Sequence, residues 1–304
     1  MRTKNKKKFP QADAILTADW HLRESQPECR LDNFWETQWN SMDWLKELQQ
    51  EHDCPVIVAG DVYHHWKPSP YLLNVTMEHL PQDVLAVAGQ HDLPQHNLEL
   101  IGKAGLSVLE RAGFVVLLDP SFHVECKFMI SGFNFGEDCE GVSKKEDPLI
   151  AVRHIMTYQD KKPFPGCTAD KATQLLRKMK GYDLVVTGDN HESFVVEDKG
   201  RLLVNPGSFT RQTAKQIDHK PCVYLWYAST NSIEPVYIPV DKEAVSREHI
   251  EAKEDVDKRI AAFVTRLHSD WEVGLSFTDN LKAFFSKNKV PKSIQTLIWE
   301  ASEE

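Results

Sequence analysis

Short apolar runs alternate with stretches of helical periodicity up to about residue 190. Four of these runs are rich in alanine, valine, leucine and isoleucine, and polar residues follow each at once: 14–18 (AILTA), 56–59 (VIVA), 84–88 (VLAVA) and 184–187 (LVVT). Such runs predict strands that are buried on both faces. Between the first two runs, apolar residues recur at helical spacing: Leu31, Phe34, Trp35, Met42, Leu45 and Leu48. The alternation predicts an α/β domain in which crossover helices pack on a sheet.

Turn chemistry predicts two β-hairpins in the region that follows. The strands 194–197 and 201–204 flank the turn sequence DKG, and the strands 222–227 and 233–238 flank STN. Glycine and asparagine tolerate the left-handed backbone of tight hairpin turns. The second part of the domain is therefore expected to be rich in antiparallel strands.

Helical patterns replace strands after Pro239. One apolar stripe has a helical period: Val256, Ile260, Phe263, Val264, Leu267 and Trp271. A second helix is predicted to begin near Thr278. After Pro291, a last segment carries three further apolar residues: Ile294, Leu297 and Ile298. We therefore expect one large domain at 1–240 and a small helical appendage at 241–304.

Composition and charge exclude several classes of protein. With 41% hydrophobic and 27% charged residues among 304, the chain can bury a core, which excludes a disordered or fibrous protein. The net charge of −9 argues against a protein that coats DNA through non-specific phosphate contacts. No apolar run approaches the ~18–20 residues that cross a bilayer. The basic start resembles a signal-peptide n-region, but the apolar stretch that follows, 14–18, is too short for an h-region. We therefore expect a cytoplasmic protein with reduced thiols, since the six cysteines also lack zinc-ribbon spacing.

Candidate metal ligands follow the apolar runs, where open α/β sheets bind their ligands. In chain order these clusters are Asp19-Trp20-His21, Gly60-Asp61, Gly89-Gln90-His91-Asp92, His154 and Gly188-Asp189-Asn190-His191. Each cluster alone has an ordinary explanation, since a Gly-Asp pair closes many turns and a lone histidine is more often a packing residue. Five clusters in order are much harder to explain by chance. Because carboxylates and imidazoles suit Mn, Fe, Mg or Zn ions, the sequence predicts a metal site at the strand ends.

The order of these clusters resembles the signature of the calcineurin-like metallophosphoesterases: D-x-H, G-D, G-N-H-D, H and G-H-x-H. The resemblance covers about residues 13–210. Flanking residues resemble the SbcD-type DNA-repair nucleases and their phage, archaeal and eukaryotic counterparts: ADWHL at 18–22, GDVYH at 60–64, KPS at 67–69 and NPGS at 205–208. The resemblance implies a four-layer α/β/β/α sandwich, two β-sheets flanked by helices, with the metals at one end and the residues 1–240 as the metallophosphoesterase domain.

The resemblance also implies a role for each residue of the clusters. Two metals would be held by three groups of ligands: Asp19, His21 and His191 for one metal, Gln90, His154 and Asp189 for the second, and Asp61 as the bridge. His91 would lie beside the scissile phosphate, with Asp92 orienting it. Two ions about 3.5–4 Å apart can clamp a phosphodiester and activate a water for in-line attack.

Two positions depart from the family pattern, and both belong to the second metal. Gln90 stands where asparagine is usual, which moves the amide oxygen out by one methylene. Asp189 stands where a histidine is usual, which replaces a neutral nitrogen donor with an anionic oxygen. We therefore expect Mn²⁺, or Mg²⁺, in preference to Zn²⁺, and a second metal that is bound more loosely, is displaced or is missing.

Basic residues that could contact DNA concentrate between residues 161 and 220. The candidates are Lys162, Lys171, Arg177, Lys178 and Arg211. A solvated basic helix face explains those before residue 181 equally well. His64, just past Asp61, could reach the substrate, but a solvated or packing role is the favoured interpretation.

The leading hypothesis is a metal-dependent DNA nuclease, an exonuclease or an endonuclease, in DNA repair, recombination or end processing. In the family, the nuclease works with an SMC-like ATPase of the SbcC type, and a chain of net charge −9 fits a subunit that borrows DNA affinity from such a partner. The apolar stripe after residue 256 could dock this ATPase or form a homodimer, although packing on the catalytic domain is somewhat more expected. Two alternatives remain: a phosphodiesterase or phosphatase for nucleotides or other small esters, and a non-catalytic scaffold with an eroded metal site.

Overall fold

A computed structural model describes residues 11–125, 127–143, 146–164, 166–248, 250, 258–260 and 277–303. The chain divides into two units, Met1–Ser246 and Arg247–Glu304. In chain order the described strands are β1 (Ala14–Thr17), β2 (Val56–Val58), β3 (Val84–Ala86), β4 (Val115–Leu117), β5 (His123–Val124), β6 (Met129–Phe133), β7 (Leu149–Arg153), β8 (Thr157–Tyr158), β9 (Asp170–Lys171), β10 (Leu184–Thr187), β11 (Phe194–Asp198), β12 (Arg201–Asn205), β13 (Cys222–Tyr227) and β14 (Ser232–Tyr237). The described α-helices are α1 (Phe34–His52), α2 (Pro70–His79), α3 (Gly105–Arg111), α4 (Ala172–Lys178), α5 (Phe277–Asn288) and α6 (Lys292–Glu303).

Two six-stranded sheets form the centre of the first unit. The first has the order β14-β13-β1-β2-β3-β4, in which β1 to β4 are parallel and β13 is antiparallel to both of its neighbours. The second has the order β11-β12-β10-β7-β6-β5, in which β12, β10, β7 and β6 are parallel and both edge strands are antiparallel. The carboxyl ends of the parallel strands therefore meet at one end of each sheet, where ligands bind in open α/β sheets.

Capping residues define both ends of helix α1. The side chain of Asn33 caps its start by accepting a hydrogen bond from the backbone N–H of Glu36, and Asp53 ends it in the left-handed conformation. Met42 lies on the buried face, as its spacing predicts, whereas Leu31 precedes the helix and is exposed. The helical period of the apolar residues therefore comes from contact with the sheet.

Three apolar layers hold the first unit together. The layer between the sheets includes Leu16, Ile57, Leu85, Ile150, Val152, Leu184, Val186 and Trp226. Helices α1 and α3 cover the outer face of the first sheet through Met42 and Leu106. Helix α4 covers the outer face of the second sheet through Leu175. The expected four-layer α/β/β/α sandwich is therefore confirmed.

The predicted strands at 14–18, 56–59, 84–88 and 184–187 and both hairpins are confirmed to within two residues. Strand β6 was not predicted, because Ser131 and Gly132 interrupt its apolar run. A Cβ on Gly132 would lie 2.2 Å from Cβ of Leu118, so the position has no room for a side chain between the sheets. A fully buried strand can therefore lack a clear apolar pattern where a neighbouring chain packs against its backbone.

The predicted start of a helix near Thr278 and the break at Pro291 are confirmed. Helix α5 starts beside Thr278, and Pro291 separates it from α6. Leu281, Phe284 and Phe285 form a cluster with residues of the following segment. The predicted stripe at 256–271 lies outside the described residues, apart from 258–260. Among the helices that the structure describes, none has the length and apolar character that a membrane span requires.

Trp226 provides a test of the layer between the sheets, because its ring is fully buried and packs edge-on against Phe128 at a centroid distance of 5.3 Å. Trp226→Ala leaves a cavity that two sheets cannot easily refill, so we expect the free energy of unfolding to fall by about 3–5 kcal/mol. Urea denaturation followed by circular dichroism measures this change. Tyr237→Ala, an exposed change on β14, is the control and should cost less than about 1 kcal/mol. Equal losses would contradict this assignment of the core.

Candidate metal centre

The loops after β1, β2, β3, β7 and β10 carry the five predicted clusters. Four non-glycine residues of these clusters have a left-handed backbone: Asp19 (φ 49°), His21 (φ 47°), Asp61 (φ 52°) and Asp189 (φ 75°). Aspartate and histidine tolerate this region better than most residues, yet each such position costs about 1–3 kcal/mol unless its surroundings enforce it. Strain of this kind concentrates at functional sites. The chain therefore turns sharply where these strands end.

Two glycines allow the loops to approach one another. A Cβ on Gly60 (φ 93°) would lie 2.1 Å from Nδ1 of His154, and a Cβ on Gly89 would lie 2.1 Å from Oδ1 of Asp61. Both distances are far below van der Waals contact, so a side chain at either position would push a candidate ligand away. The glycine before Asp61 and the glycine before Gln90 are therefore parts of the site.

Two groups of donors meet at Asp19. The first group is Asp19, His21 and His191, and the second is Asp19, Asp61 and His154; within each group, one donor atom per residue lies within 4.8 Å of the others. The Nε2 atoms of His21 and His191 are 3.1 Å apart. Oδ2 of Asp61 is 3.6 Å from Nε2 of His21 and 3.5 Å from Nε2 of His154. Oδ2 of Asp61 thus lies between His21 of the first group and His154 of the second, where a bridging ligand would lie.

Gln90 and Asp189, the two departures from the family pattern, bind each other. Nε2 of Gln90 donates a hydrogen bond of 2.6 Å to Oδ1 of Asp189. Both side chains line the same cleft as His154. Oε1 of Gln90 is buried and, within the described part of the chain, has no hydrogen-bond partner. The amide therefore uses its NH₂ group on Asp189 and leaves its oxygen, the atom that binds a cation, unpaired.

Backbone carbonyls fix the tautomers of two histidines. Nδ1 of His154 lies 2.6 Å from the carbonyl oxygen of Ala59, and Nδ1 of His91 lies 3.0 Å from that of His64. A carbonyl oxygen only accepts hydrogen bonds, so each Nδ1 carries the proton. Nε2 is then the nitrogen that can bind a cation in His154 or exchange a proton in His91.

Asp92 was expected to orient the ring of His91, but no hydrogen bond between the two side chains is found among the described residues. Its carboxylate instead accepts hydrogen bonds from three backbone N–H groups: Val62, Tyr63 and Gly89. Burial raises the pKa of Asp92 to about 7, although these three hydrogen bonds lower it. The expected role is therefore corrected: Asp92 ties the loop after β2 to the loop after β3, and the carbonyl of His64 orients His91.

His64 belongs to the pocket, which corrects its interpretation as a solvated or packing residue. One donor atom each of His21, His64 and His91 lies within 4.8 Å of the others, and the rings of His64 and His91 stack at a centroid distance of 5.6 Å. Burial, with a smaller effect of Arg23, lowers the pKa of His64 to about 4, so its ring is neutral at pH 7. The available signal was its position three residues after Asp61.

Burial and proximity determine the charges in the pocket. Burial raises the pKa of Asp19 well above its usual value and lowers that of His21 well below it. Burial would also lower the pKa of His154, but Asp61 and other carboxylates outweigh this effect and raise it to about 10. In return, His154 holds the pKa of Asp61 well below its usual range, against the effect of burial. In the absence of a cation, a proton on His154 thus supplies the positive charge.

The donors fit divalent cations. Within the described residues, five buried atoms of this pocket have no hydrogen-bond partner: Oδ2 of Asp19, Nδ1 of His21, Oδ2 of Asp61, Oε1 of Gln90 and Nε2 of His154. Buried polar atoms without partners are rare, because each carries a desolvation penalty. Divalent ions such as Mn²⁺, Fe²⁺ and Zn²⁺ bind to anionic oxygens and imidazole nitrogens. A cation is the partner that the pocket requires.

Four of the five candidate DNA contacts lie on the surface or at its edge. Lys162 and Lys178 are exposed, and Lys171 is half-buried at the start of α4. Arg177 is exposed and pairs with Asp198 at 3.3 Å. These four residues remain predictions, since an exposed charge has the same appearance with and without a ligand.

Arg211 is not available for DNA, which corrects that prediction. Its side chain is buried, and the guanidinium donates hydrogen bonds to the backbone carbonyls of Ile217, Asp241 and Lys242. Its own carbonyl accepts a hydrogen bond of 3.0 Å from Nη1 of Arg30. Arg211 therefore stabilises the loops after β12 and β14.

Two clefts open beside the pocket and share Met156, Phe164 and Asp189. The first, of about 590 Å³, is also lined by Gln90, Phe135, Arg153 and His154. The second, of about 800 Å³, is also lined by His191, Lys215, His219 and Lys220. The candidate ligands can thus be reached from both sides.

Comparison with known proteins agrees with this geometry. The model of the calcineurin-like phosphoesterase superfamily domain matches residues 14–225. The chain is 27% identical over 222 residues to the DNA double-strand break repair protein Mre11 of Haloferax volcanii, and the match covers 67% of this chain and 47% of that protein. The chain therefore spans about half the length of this curated relative.

Two solved structures are also similar to the chain. A novel archaeal phosphodiesterase is 12% identical with a TM-score of 0.41, and the match covers 74% of this chain and 98% of that one. A candidate 5′-nucleotidase from Staphylococcus aureus is 10% identical with a TM-score of 0.46, and the match covers 81% of this chain and 58% of that one. Since the family model spans well over half of the chain and includes every cluster that meets in the pocket, the protein belongs to the calcineurin-like phosphoesterase superfamily.

Proposed function

We propose that the protein is a metal-dependent DNA nuclease that hydrolyses phosphodiester bonds with two divalent cations, Mn²⁺ or Mg²⁺. The observation that carries the proposal is the carboxylate of Asp61, whose Oδ2 lies between Nε2 of His21 and Nε2 of His154, with the ring of His91 beside His21. Membership of the superfamily supports a phosphoester hydrolase, and the 27% identity to a DNA-repair protein supports the narrower assignment.

The candidate ligands would together bind two cations. The residues that would hold them are Asp19, His21, Asp61, Gln90, His154, Asp189 and His191. Bound there, the cations would neutralise the phosphate oxygens and make an attacking water more acidic. Asp19 and Asp61 each use Oδ1 to accept a backbone N–H from another loop, those of Asp189 and His91, and keep Oδ2 for a cation.

His91 is the proposed proton donor. Its Nδ1–H is held by the carbonyl of His64, so Nε2 can take a proton from solvent and, in that imidazolium form, give it to the oxygen that leaves the phosphorus. Neutral His64, stacked on His91, can accept or donate a hydrogen bond without adding charge. The imidazole pair thus supplies proton transfer beside the cations.

The net charge of the chain favours a partner that supplies DNA. A total of 45 acidic and 36 basic residues gives little non-specific attraction to a polyanion. We therefore extend the proposal to a cytoplasmic complex with an SMC-like ATPase, in which the C-terminal unit is the docking element. Leu297 of α6 is 62% exposed and is a candidate contact, and a homodimer is the alternative use of this surface.

His91→Ala should slow catalysis about 10²–10⁴-fold, because general acid catalysis contributes that much, while the bound metal content stays close to that of the wild type. Asp61→Asn should lower both metal content and activity, since it removes the shared carboxylate. Cleavage of plasmid DNA and of a single-stranded oligonucleotide in Mn²⁺ measures activity, and elemental analysis measures metal. His123→Ala, on β5, is the matched control and should have the activity and metal content of the wild type.

Hydrolysis of a chromogenic phosphodiester, assayed in parallel, separates the alternatives. If this small ester is hydrolysed while both DNA substrates stay intact, the protein is a small-ester phosphodiesterase. If the purified protein holds no metal and cleaves none of the three substrates, it is a scaffold. Either result would contradict the nuclease proposal.

Cation binding should release about one proton at pH 7. Because the pKa of His154 is raised to about 10, the metal-free ring is protonated at pH 7, and a cation must displace that proton. The apparent affinity should rise by about tenfold per pH unit from pH 7 to 9. Calorimetric titration with Mn²⁺ in buffers of different ionisation enthalpy counts the protons. Heats that do not depend on the buffer would refute the protonated His154–Asp61 pair.

Asp189→His should shift the metal preference toward Zn²⁺ by about tenfold relative to Mn²⁺, because a nitrogen donor replaces an anionic oxygen. Asp189→Asn is the matched control, since it removes the charge but keeps an acceptor for the amide of Gln90. Competitive binding of the two metals measures the ratio. The same ratio in the wild type and in Asp189→His would show that Asp189 does not bind the cation.

A further inference from the structure

Phe164 is an aromatic side chain at the candidate metal centre that the proposed chemistry does not use. Its side chain is 52% exposed. It lines both clefts, and the candidate ligand Asp189 lines both as well. A single exposed apolar side chain is ordinary on a protein surface. This one lies where the two clefts meet beside a candidate ligand, so a substrate that bridges them must pass it.

Hydrogen bonds hold the loop that presents Phe164. The backbone N–H of Cys167 donates to the carbonyl of Phe164 at 3.2 Å, and Nζ of Lys162 donates to the carbonyl of Cys167 at 2.8 Å. Cys167 itself is buried, which anchors the loop. Phe164 is thus displayed on a closed turn.

A second aromatic ring lies in the smaller cleft. Phe135 packs edge-on against His154 at a centroid distance of 6.4 Å, and its backbone N–H donates to the carbonyl of Ala88. Phe135 and Phe164 therefore both line the cleft of about 590 Å³ that borders Gln90 and His154. Clefts of this size take small organic ligands, and aromatic walls favour a flat apolar ring.

Acidic side chains largely offset the basic side chains that line the two clefts. In the larger cleft, Lys215 and Lys220 are opposed by Glu192 and Asp218. In the smaller one, Arg153 lies with Glu137 and Asp138 and donates to the carbonyl of Glu137. The charged side chains that line the clefts therefore give little net attraction to a polyanion, so within the clefts stacking would be the main side-chain contribution to binding.

We propose that Phe164 stacks on the nucleobase next to the scissile phosphate and so makes the enzyme selective for unpaired nucleotides. The inference rests on the proposed nuclease function and names its substrate as single-stranded nucleic acid with an intact base. A base within a duplex is covered on both faces by its neighbours, whereas an unpaired base can offer a face to an aromatic ring. Any of the bases can stack in this way, so the enzyme would select single strands over duplexes and would not select a particular base sequence.

The test uses a single-stranded oligonucleotide in which phosphorothioate linkages leave one cleavable phosphodiester. An abasic residue is placed on either side of that bond in turn. For the wild type in Mn²⁺, an abasic residue on one side should lower kcat/KM about tenfold, the order expected for the loss of one stacked base. Phe164→Ala should show the same loss on the intact strand and no further loss on the abasic strand, because both changes remove one interaction.

Two substitutions separate stacking from bulk. Phe164→Trp should retain the activity and the abasic penalty, whereas Phe164→Leu, which keeps apolar volume without a π-face, should lose both. Phe114→Ala, an exposed phenylalanine outside the clefts, is the matched control and should match the wild type. Circular dichroism checks that each variant is folded.

The outcomes distinguish the inference from the function on which it rests. If the wild type cleaves intact and abasic strands equally, or if Phe164→Ala keeps the abasic penalty, stacking by Phe164 is refuted and the nuclease function stands. If the wild type cleaves no oligonucleotide but hydrolyses bis(p-nitrophenyl) phosphate, the nuclease function fails and the inference fails with it. Equal cleavage of a duplex and a single strand of the same sequence would also overturn the proposed selectivity.

Discussion

Two buried carboxylates at one point are the constraint on which the rest of the structure depends. Asp19 and Asp61 are 0% and 1% exposed, and an ionised carboxylate that is buried without a partner costs several kcal/mol. Each uses one oxygen to accept a backbone N–H from another loop, and the other oxygen has no hydrogen-bond partner among the described residues. The remaining negative charge requires either a proton on His154 or a cation. Proton and metal therefore compete for one place, and metal binding is coupled to pH.

The sandwich fold makes this concentration of charge possible. Parallel strands end at the same edge, so loops from both sheets meet without long insertions. Gly60 and Gly89 remove the side chains that would keep the loops apart, and Asp92 ties two loops together through three backbone hydrogen bonds. The energetic cost of the left-handed residues is spread over several loops that hold one another. A change in one loop is therefore expected to disturb the ligands on its neighbours.

The sequence predicted what depends on strand order, and it failed where the result depends on side-chain contacts. Asp19 and Asp61 were found because each follows a strongly apolar strand, and parallel strands bring such positions together. The place of His64 depends on the path of a loop, which periodicity does not describe. Arg211 illustrates the limit most clearly. A basic residue has the same appearance in a sequence whether its guanidinium meets solvent or, as here, three backbone carbonyls.

The use of arginine inside the fold has a consequence for substrate recognition. Arg30 and Arg211 are both buried and bind backbone carbonyls, so they contribute nothing to phosphate binding at the surface. The lysines of the larger cleft are offset by nearby acids. Under the proposed function, affinity for nucleic acid within the clefts would then come mainly from cations at the centre and from contact with bases. Because few lysines would release counterions, binding should depend weakly on salt and strongly on metal. Under the proposed nuclease function, such a protein would read the strand at the bond it cleaves and would depend on a partner subunit to bring the strand there.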